Sequence, residues 1–238
     1  MAIEDMEPPS VKNKIRIPGL SLVIPAFNAA ASLPATLAAL DDIPAEILLV
    51  DGGSTDGTAA IPGPRILAAP RGRGTQLAAG IAAARGPWLL LLHADTILAP
   101  GWAEAVARAM GDPARAWYFR FALDDDAPEA RRLERAVAWR CRRLGLPYGD
   151  QGLLIHRDLL DGVGGLRPLP LMEDVDLVRR LGRARLGLLP VAAVTSAARW
   201  RRDGYAARSA RNLACLALWF AGIPPRIISR IYAGRGGG

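Results

Sequence analysis

Residues 89–98 read LLLLHADTIL. A strand with one wet face alternates apolar and polar side chains, but here both side-chain directions are apolar. Such a strand is covered on both faces, as in the parallel sheets of α/β proteins. The run from Trp88 to Leu92 then stops at His93-Ala94-Asp95. Ligands in open α/β sheets lie beyond the carboxyl ends of the strands, so a buried strand that ends in an imidazole and a carboxylate marks a ligand site. With a side-chain period of two, His93 and Asp95 point the same way and Ala94 points away.

Working outward, the same design repeats. Leu20 to Pro25 and Glu46 to Val50 are continuous apolar strands, the second ending at Asp51, and Arg65 to Ala68 is a short third. Between them Ser32 offers an N-cap with Pro34 in the first turn of a helix to about Leu40, and Gly74 to Arg85 is a helix stopped by Gly86-Pro87. The βαβαβαβ alternation predicts a parallel sheet with helices on both faces. Further on, helices are expected at Gly101 to Met110, Pro128 to Leu144, Asp174 to Leu181 and Tyr205 to Phe220, and strands at Ala116 to Leu123, Gln151 to His156 and Leu186 to Val194, the last containing Pro190.

The chain has 238 residues and is 51% hydrophobic, enough for one substantial core. One domain over 18–230 is expected, with a disordered leader at 1–17 and a flexible tail at 231–238. The net charge is +7, and only Lys12 and Lys14 are lysines, so the basicity is nearly all arginine. Guanidinium groups favour phosphates, whether of nucleic acid, anionic lipid or a small substrate, although codon bias gives the same excess. Cys141 and Cys215 have no CxxC or histidine neighbours and read as reduced, buried fillers. The N-terminus MAIEDMEPPSVKNK lacks the pattern of a signal peptide. The apolar run Leu213 to Ile223 falls short of the roughly 20 residues that cross a bilayer, so a cytoplasmic protein, soluble or surface-bound, is expected.

Three polar strand ends should line one crevice: Pro25-Ala26-Phe27-Asn28, Asp51-Gly52-Gly53-Ser54-Thr55-Asp56-Gly57 and His93-Ala94-Asp95. Asp51 is placed to accept from a ring N–H or a ribose hydroxyl, and its loop serves equally as a capping turn. Arg71-Gly72-Arg73-Gly74 brings guanidinium groups and backbone N–H groups to a helix start, a seat for a pyrophosphate. Magnesium and manganese use few protein carboxylates and complete their shells with water and phosphate oxygens, so Asp95 with His93 suffices as a metal set. Glu173 and Asp174 open a helix after the Gly/Pro-rich loop 162–171; they serve the helix dipole or proton transfer. Asp150 and Gln151 fit a turn or a sugar contact, and Arg199, Trp200, Arg201 and Arg202 fit a solvated basic face or a diphosphate site in which Trp200 stacks on an acceptor. His156, at a strand end beside Arg157, reads as a polar side chain at the surface and not as a catalytic one.

The ordered series VIPAFN, VDGGSTDGT, RGRGTQLAAGIAAARG and LLHADT, continued by Gly149-Asp150-Gln151 and Met172-Glu173-Asp174, resembles glycosyltransferase family 2 over roughly residues 20–220. LLHADT then stands as a variant of the Asp-x-Asp metal motif, with His93 in place of the first aspartate, as in a bacterial subgroup. The resemblance implies a GT-A fold: a Rossmann-like, mostly parallel central sheet flanked by helices, with mixed strands in the C-terminal half. It implies a nucleotide-binding half over about 18–112 and an acceptor half over about 113–230. By it, Asp51 holds the nucleobase, Pro25, Ala26 and Asn28 shape the nucleotide pocket, and Gly53, Arg71, Arg73, Gln76 and Ala94 join that set. Asp95, with His93, takes Mn2+ or Mg2+, Asp174 beside Glu173 is the general base, and Asp150, Gln151, Arg199 and Trp200 meet acceptor or diphosphate. The expected partners are a nucleotide diphosphate sugar, UDP-sugar favoured, and an unidentified acceptor that a lipid-linked molecule would suit. Membrane-surface contact and a homodimer stay open, and nucleic acid is not expected. A nucleotidyltransferase would want a Gly-rich loop with Lys or Arg directly after the first strand, where this chain has PAFN. A basic peripheral scaffold without turnover is the other alternative.

Overall fold

The computed structural model describes residues 17–40 and 45–233. Its centre is one eight-stranded sheet: β1 (Leu20–Ala26), β2 (Glu46–Asp51), β3 (Arg65–Ala68), β4 (Trp88–Leu91), β5 (Thr96–Leu98), β6 (Ala116–Leu123), β7 (Leu153–His156) and β8 (Leu186–Thr195). The spatial order is β3-β2-β1-β4-β7-β6-β8-β5. β3, β2, β1 and β4 run parallel, as the continuous apolar strands imply. Alternate residues feed two cores: Leu22, Ile24, Leu90 and Leu92 on one face, Val23, Leu89 and Leu91 on the other.

Helices α1 (Leu33–Ala38) and α3 (Trp102–Ala109) cover the first face, where Leu33, Trp102 and Val106 are buried. α2 (Arg73–Ala83) and α6 (Glu173–Leu181) cover the second through Leu77, Ile81, Leu177 and Leu181. α2 lies close on the sheet because Gly80 has no side chain: a Cβ there would stand 2.3 Å from Val23 Cγ1 and 2.8 Å from Val50 Cγ2. Overpacking of that kind costs about 1–3 kcal/mol.

The second half departs from parallel order. β7 is antiparallel to β4, pairing Leu91 with Leu153, so β7 begins where β4 ends. β6 is antiparallel to β7 and parallel to β8, with a register shift after Phe119, opposite the stretch that contains Pro190. Pro removes a ladder donor, and a bulge is where a strand tolerates that. β5 turns straight back from Asp95 and pairs antiparallel with β8, Thr96 opposite Thr195. Four ends therefore meet at one edge of the sheet: the carboxyl ends of β4 and β8 and the starts of β5 and β7.

The remaining helices are α4 (Pro128–Leu144), α5 (Arg157–Gly162), α7 (Ala198–Asp203), α8 (Tyr205–Phe220) and α9 (Pro225–Ala233). β5, α5, α7 and α9 were not expected from the sequence. α9 starts on Pro225, where the missing N–H of proline costs nothing. It takes in residues 231–233, correcting the expected tail; 234–238 lie outside the described residues. At the other end Ile17 is packed in the core at 2% exposure, so it does not belong to a leader, and residues 1–16 lie outside the described residues. Ser32 flanks α1 but its hydroxyl caps no helical N–H. His156 caps α5, its Nδ1 accepting from Asp158 N at 3.3 Å, and packs edge-on against Trp88. Both cysteines are free and buried, as expected.

Candidate active site

At the shared edge lies a cavity of about 170 Å3. Arg73, His93, Asp95, Asp150 and Asp174 line it, together with Arg199, Arg208, Asn212 and Tyr232. The antiparallel start of β7 brings in Asp150. In a short 3-10 turn, Gly149–Gln151, it arrives beside the end of β4 although it is more than fifty residues away in sequence. Gly149 makes the approach possible, since a Cβ there would sit 2.8 Å from His93 Nε2 and 3.3 Å from Asp174 Oδ2.

Arg73, the first residue of α2, is the hub. Its Nε donates to Glu173, one NH2 group lies 3.4 Å from Asp174 Oδ2, and the other 3.4 Å from His93 Nε2. Burial works against its charge, but Glu173 and Asp174 outweigh that and raise its pKa. His93 responds in the opposite sense: burial and then the Arg73 charge push it down to about 4, so it is neutral and accepts from Arg73. Burial pushes Asp174 up, yet Arg73 and the N–H groups of Gly149 (2.8 Å) and Val175 (2.8 Å) prevail and hold it below the ordinary carboxylate range. Glu173, 1% exposed, is pushed up by burial against the pull of Arg73. Met172, just before this pair, has φ 66°. A bulky residue in the left-handed region stores roughly 1–3 kcal/mol of strain, which here fixes the direction in which Glu173 and Asp174 leave the loop.

Glu173 Oε2 is buried without a hydrogen-bond partner, and so is Oδ1 of Asp150. Burial, reinforced by Asp174 and Asp95 and opposed by Arg140 and Arg73, pushes its pKa up to about 6. Asp95 lines the same cavity, and among the described residues no hydrogen bond or ion pair engages its carboxylate. Two carboxylates with spare oxygens fit a magnesium or manganese ion that takes its remaining ligands from water and diphosphate. His93 fits that set less well, because its Nε2 is held between Arg73 and the Gly149 backbone. No cluster of three or more ligating side chains occurs among the described residues.

The expected nucleotide residues divide. Asp51, two strands from β4 at the same edge, does not line the cavity. Its Oδ2 accepts from Gly53 N and Ser54 N, both at 3.0 Å, and its Oδ1 accepts from the Ser54 hydroxyl. Ser54 Oγ in turn accepts from Asn28 N at 2.9 Å, and Asn28 Oδ1 accepts from Thr55 N at 2.9 Å. The loops after β1 and β2 are thus sewn into one wall. Asn28 holds φ 49°, a conformation that Asn tolerates. Pro25 and Ala26 end β1 beside it, Gly53 faces open space at φ 86°, and Arg71 lies over the Phe27 ring at 3.9 Å.

Four expected contacts have other work. Gln76 Nε2 donates to Ala26 O and Val50 O, both at 2.7 Å, clamping β1 to β2 beneath the wall. Ala94 is buried, and its carbonyl accepts from Thr36 Oγ1 at 3.1 Å. Gln151 is buried, donating to Phe119 O at 3.0 Å and accepting from Tyr148 N at 3.3 Å. Trp200 reaches the cavity wall but stacks on Tyr205, centroids 5.7 Å apart. Arg201 and Arg202 pair with Asp125 and Asp203. The Gly/Pro-rich loop 162–171 is held in place: Arg180 donates to Val163 O, Arg167 to Asp176 at 3.0 Å, and the Leu169 backbone lies against Gly74. Tyr148, Thr195, Asn212 and Tyr232 were not expected in the wall. Thr195 had a signal, being a polar strand end like Asp95; Tyr148 in its loop and Asn212 and Tyr232 on their helices had none.

Known proteins place this architecture. The solved structure of mannosyltransferase PcManGT from Pyrobaculum calidifontis in complex with GDP-Man and Mn2+ matches with a TM-score of 0.57 at 20% identity, over 82% of this chain and 61% of that one. S. aureus TarS 1-349 in complex with UDP matches with a TM-score of 0.56 at 15% identity, over 75% of this chain and 61% of that one. These likenesses show the GT-A fold. The succinoglycan biosynthesis protein ExoO of Rhizobium meliloti (strain 1021) is 34% identical over 106 residues, 40% of this chain and 30% of that protein. The chain thus spans about a third of the curated relative and about three fifths of the solved chains. The family profile Glycosyl transferase family 2 matches residues 21–169, well over half of the 238, and with the sheet order and the polar strand ends now in place, the chain belongs to that family.

Proposed function

We propose that the protein transfers a sugar from a nucleotide diphosphate sugar to an acceptor hydroxyl, with inversion at the anomeric carbon. One observation carries the reading: Asp95, Asp150 and Asp174 gather with Arg73 around one cavity at the carboxyl edge of a family 2 sheet. In this reading the stitched wall of Asn28, Asp51 and Gly53 receives the nucleoside, with UDP the favoured donor base, and Arg71 and Arg199 reach the diphosphate. Asp95 with Asp150 would hold Mn2+ or Mg2+, which supplies charge to offset that growing on the leaving diphosphate. That the PcManGT structure carries GDP-Man and Mn2+, and a TarS structure UDP, supports the donor class.

Inversion needs a hydroxyl to attack the face opposite the leaving group while a carboxylate takes its proton. The acceptor oxygen bonds to the anomeric carbon, the bond to the diphosphate oxygen breaks, and the proton passes to Asp174. Arg73 and the two N–H groups keep Asp174 ionised and fixed in direction; Glu173 holds Arg73. We place the protein in the cytoplasm, in part at a membrane surface, and expect no nucleic-acid partner. Family membership removes the nucleotidyltransferase alternative, and the following test separates a donor-binding protein from a basic scaffold that takes no donor.

Thermal unfolding is measured with UDP- and GDP-sugars, with and without Mn2+. A ligand at 100 times its dissociation constant adds about 2.7 kcal/mol of stability. A metal-dependent rise with at least one donor is expected, and Asp95→Asn removes it. Absence of any such rise across the panel ends the transferase reading.

A further inference from the structure

The sequence leaves open whether the apolar run 213–223 meets the sheet, another copy or a membrane, and the structure splits it in two. One face of α8 is core: Cys215 and Leu216 are buried, Leu216 against Leu146, Val175 and Val178. The other is bare, with Leu213 at 63% exposure and Phe220 at 50% on one side of the helix, seven residues apart. Phe220 does not stand alone. With Leu144, the exposed last residue of α4, it lines a shallow groove rimmed by Arg179 and Arg183, and Arg179 sits over the Phe220 ring at 4.7 Å. The next helix continues the theme, with Ile227 and Ile231 exposed beside exposed Arg226 and Arg230.

The charge around these residues is one-sided. From Gly204 to Gly238 the sequence contains no acidic residue. Among the described residues Arg179, Arg183, Arg226 and Arg230 make no ion pair, whereas Arg208 and Arg211 are held by Asp203 at 3.0 and 2.9 Å. Apolar side chains set among unpaired guanidinium groups complement a surface that is negative outside and hydrocarbon just beneath. A second copy of this face would bring like charges together.

We propose that α8, α9 and the end of α4 form a docking face for an anionic bilayer surface, with Leu144, Leu213 and Phe220 entering the interface and Arg179 and Arg183 meeting lipid phosphates. α8 is also a wall of the cavity through Asn212 and Cys215. Docking therefore sets the acceptor side of the cavity at the lipid surface, where a lipid-linked hydroxyl is at hand; this last step rests on the transferase reading, while docking itself does not.

The test is flotation of the whole protein with vesicles of phosphatidylcholine alone or mixed with phosphatidylglycerol, without donor or metal. Binding to the mixed vesicles only, falling in high salt, is expected. Arg179→Gln with Arg183→Gln should weaken it about 25-fold, at roughly fivefold for each basic side chain near the surface. Phe220→Ser should weaken it further. Because these positions lie outside the cavity wall, both variants keep the donor-induced thermal rise of the parent protein. Equal binding to neutral vesicles, no binding, or a dimer in sedimentation that Phe220→Ser dissociates would each overturn the docking face, and none of them touches the donor-binding test.

Discussion

The loop after β2 and the turn before β7 both present an aspartate at the same edge of the sheet, and they are built in opposite ways. Asp51 is saturated by its own loop, every bond local or to the neighbouring strand end. Asp150 comes from a distant turn, and its Oδ1 has no partner. A saturated carboxylate makes a rigid wall. A buried oxygen without a donor is destabilising by about 1–3 kcal/mol, and such groups persist where something other than stability uses them. The loop after β2 is thus shaped by satisfied bonds, and the turn before β7 keeps bonding capacity to spare.

Asp174 stands between these extremes, bonded yet facing the cavity, and its removal has the largest expected effect. Asp174→Asn should lower kcat by about 10²–10⁴, the range for general-base catalysis, with the donor dissociation constant nearly unchanged. Single-turnover kinetics with donor titration separates the two quantities. Unchanged turnover would hand proton transfer to another cavity carboxylate, Asp150 first.

Asp150→Asn sharpens the contrast through stability. A folded-state pKa pushed up to about 6 means that ionised Asp150 disfavours folding. Its favourable contribution is complete below the unfolded value near 3.8 and is lost as pH rises through 6. The variant should therefore be more stable than the parent by about 2–3 kcal/mol at pH 7.5 in a chelator. The gap should close as pH falls from 6 to below 4. Denaturant melts across that range measure it, and a variant less stable at pH 7.5 would show that Asp150 is satisfied in solution.

The smallest effect is expected in the wall. Ser54→Ala removes the hydroxyl that links Asn28 N to Asp51, costing about 1 kcal/mol of stability. Nucleotide affinity should fall a few fold with no change in the chemical step. A large loss of kcat would contradict the division between a rigid wall and a reactive acceptor side.

Much of this was legible in the residues. Strands apolar in both directions dictated a sheet covered on both faces, and the polar groups that end β1, β2 and β4 do share one edge, although only the end of β4 lines the cavity. Those are local consequences of a period of two and of burial. Some residues beside the motifs are engaged elsewhere, because a polar side chain beside a motif looks the same whether it faces a ligand or the core. Gln76 and Gln151 turned inward to satisfy buried carbonyls, Trp200 found Tyr205, and the expected leader and tail ceded Ile17 and the end of α9 to packed structure.

The sequence by itself determined the parallel half and its three polar ends, because adjacent residues carry that information. The tertiary structure decided that β7 and β5 run antiparallel and begin at the edge where β4 ends. Strand direction is set by which long-range pairing buries most surface, and no local pattern encodes it. That choice puts Asp150 beside Asp95 and Asp174, leaves its oxygen bare, and turns one face of α8 into the cavity wall while the other stays exposed.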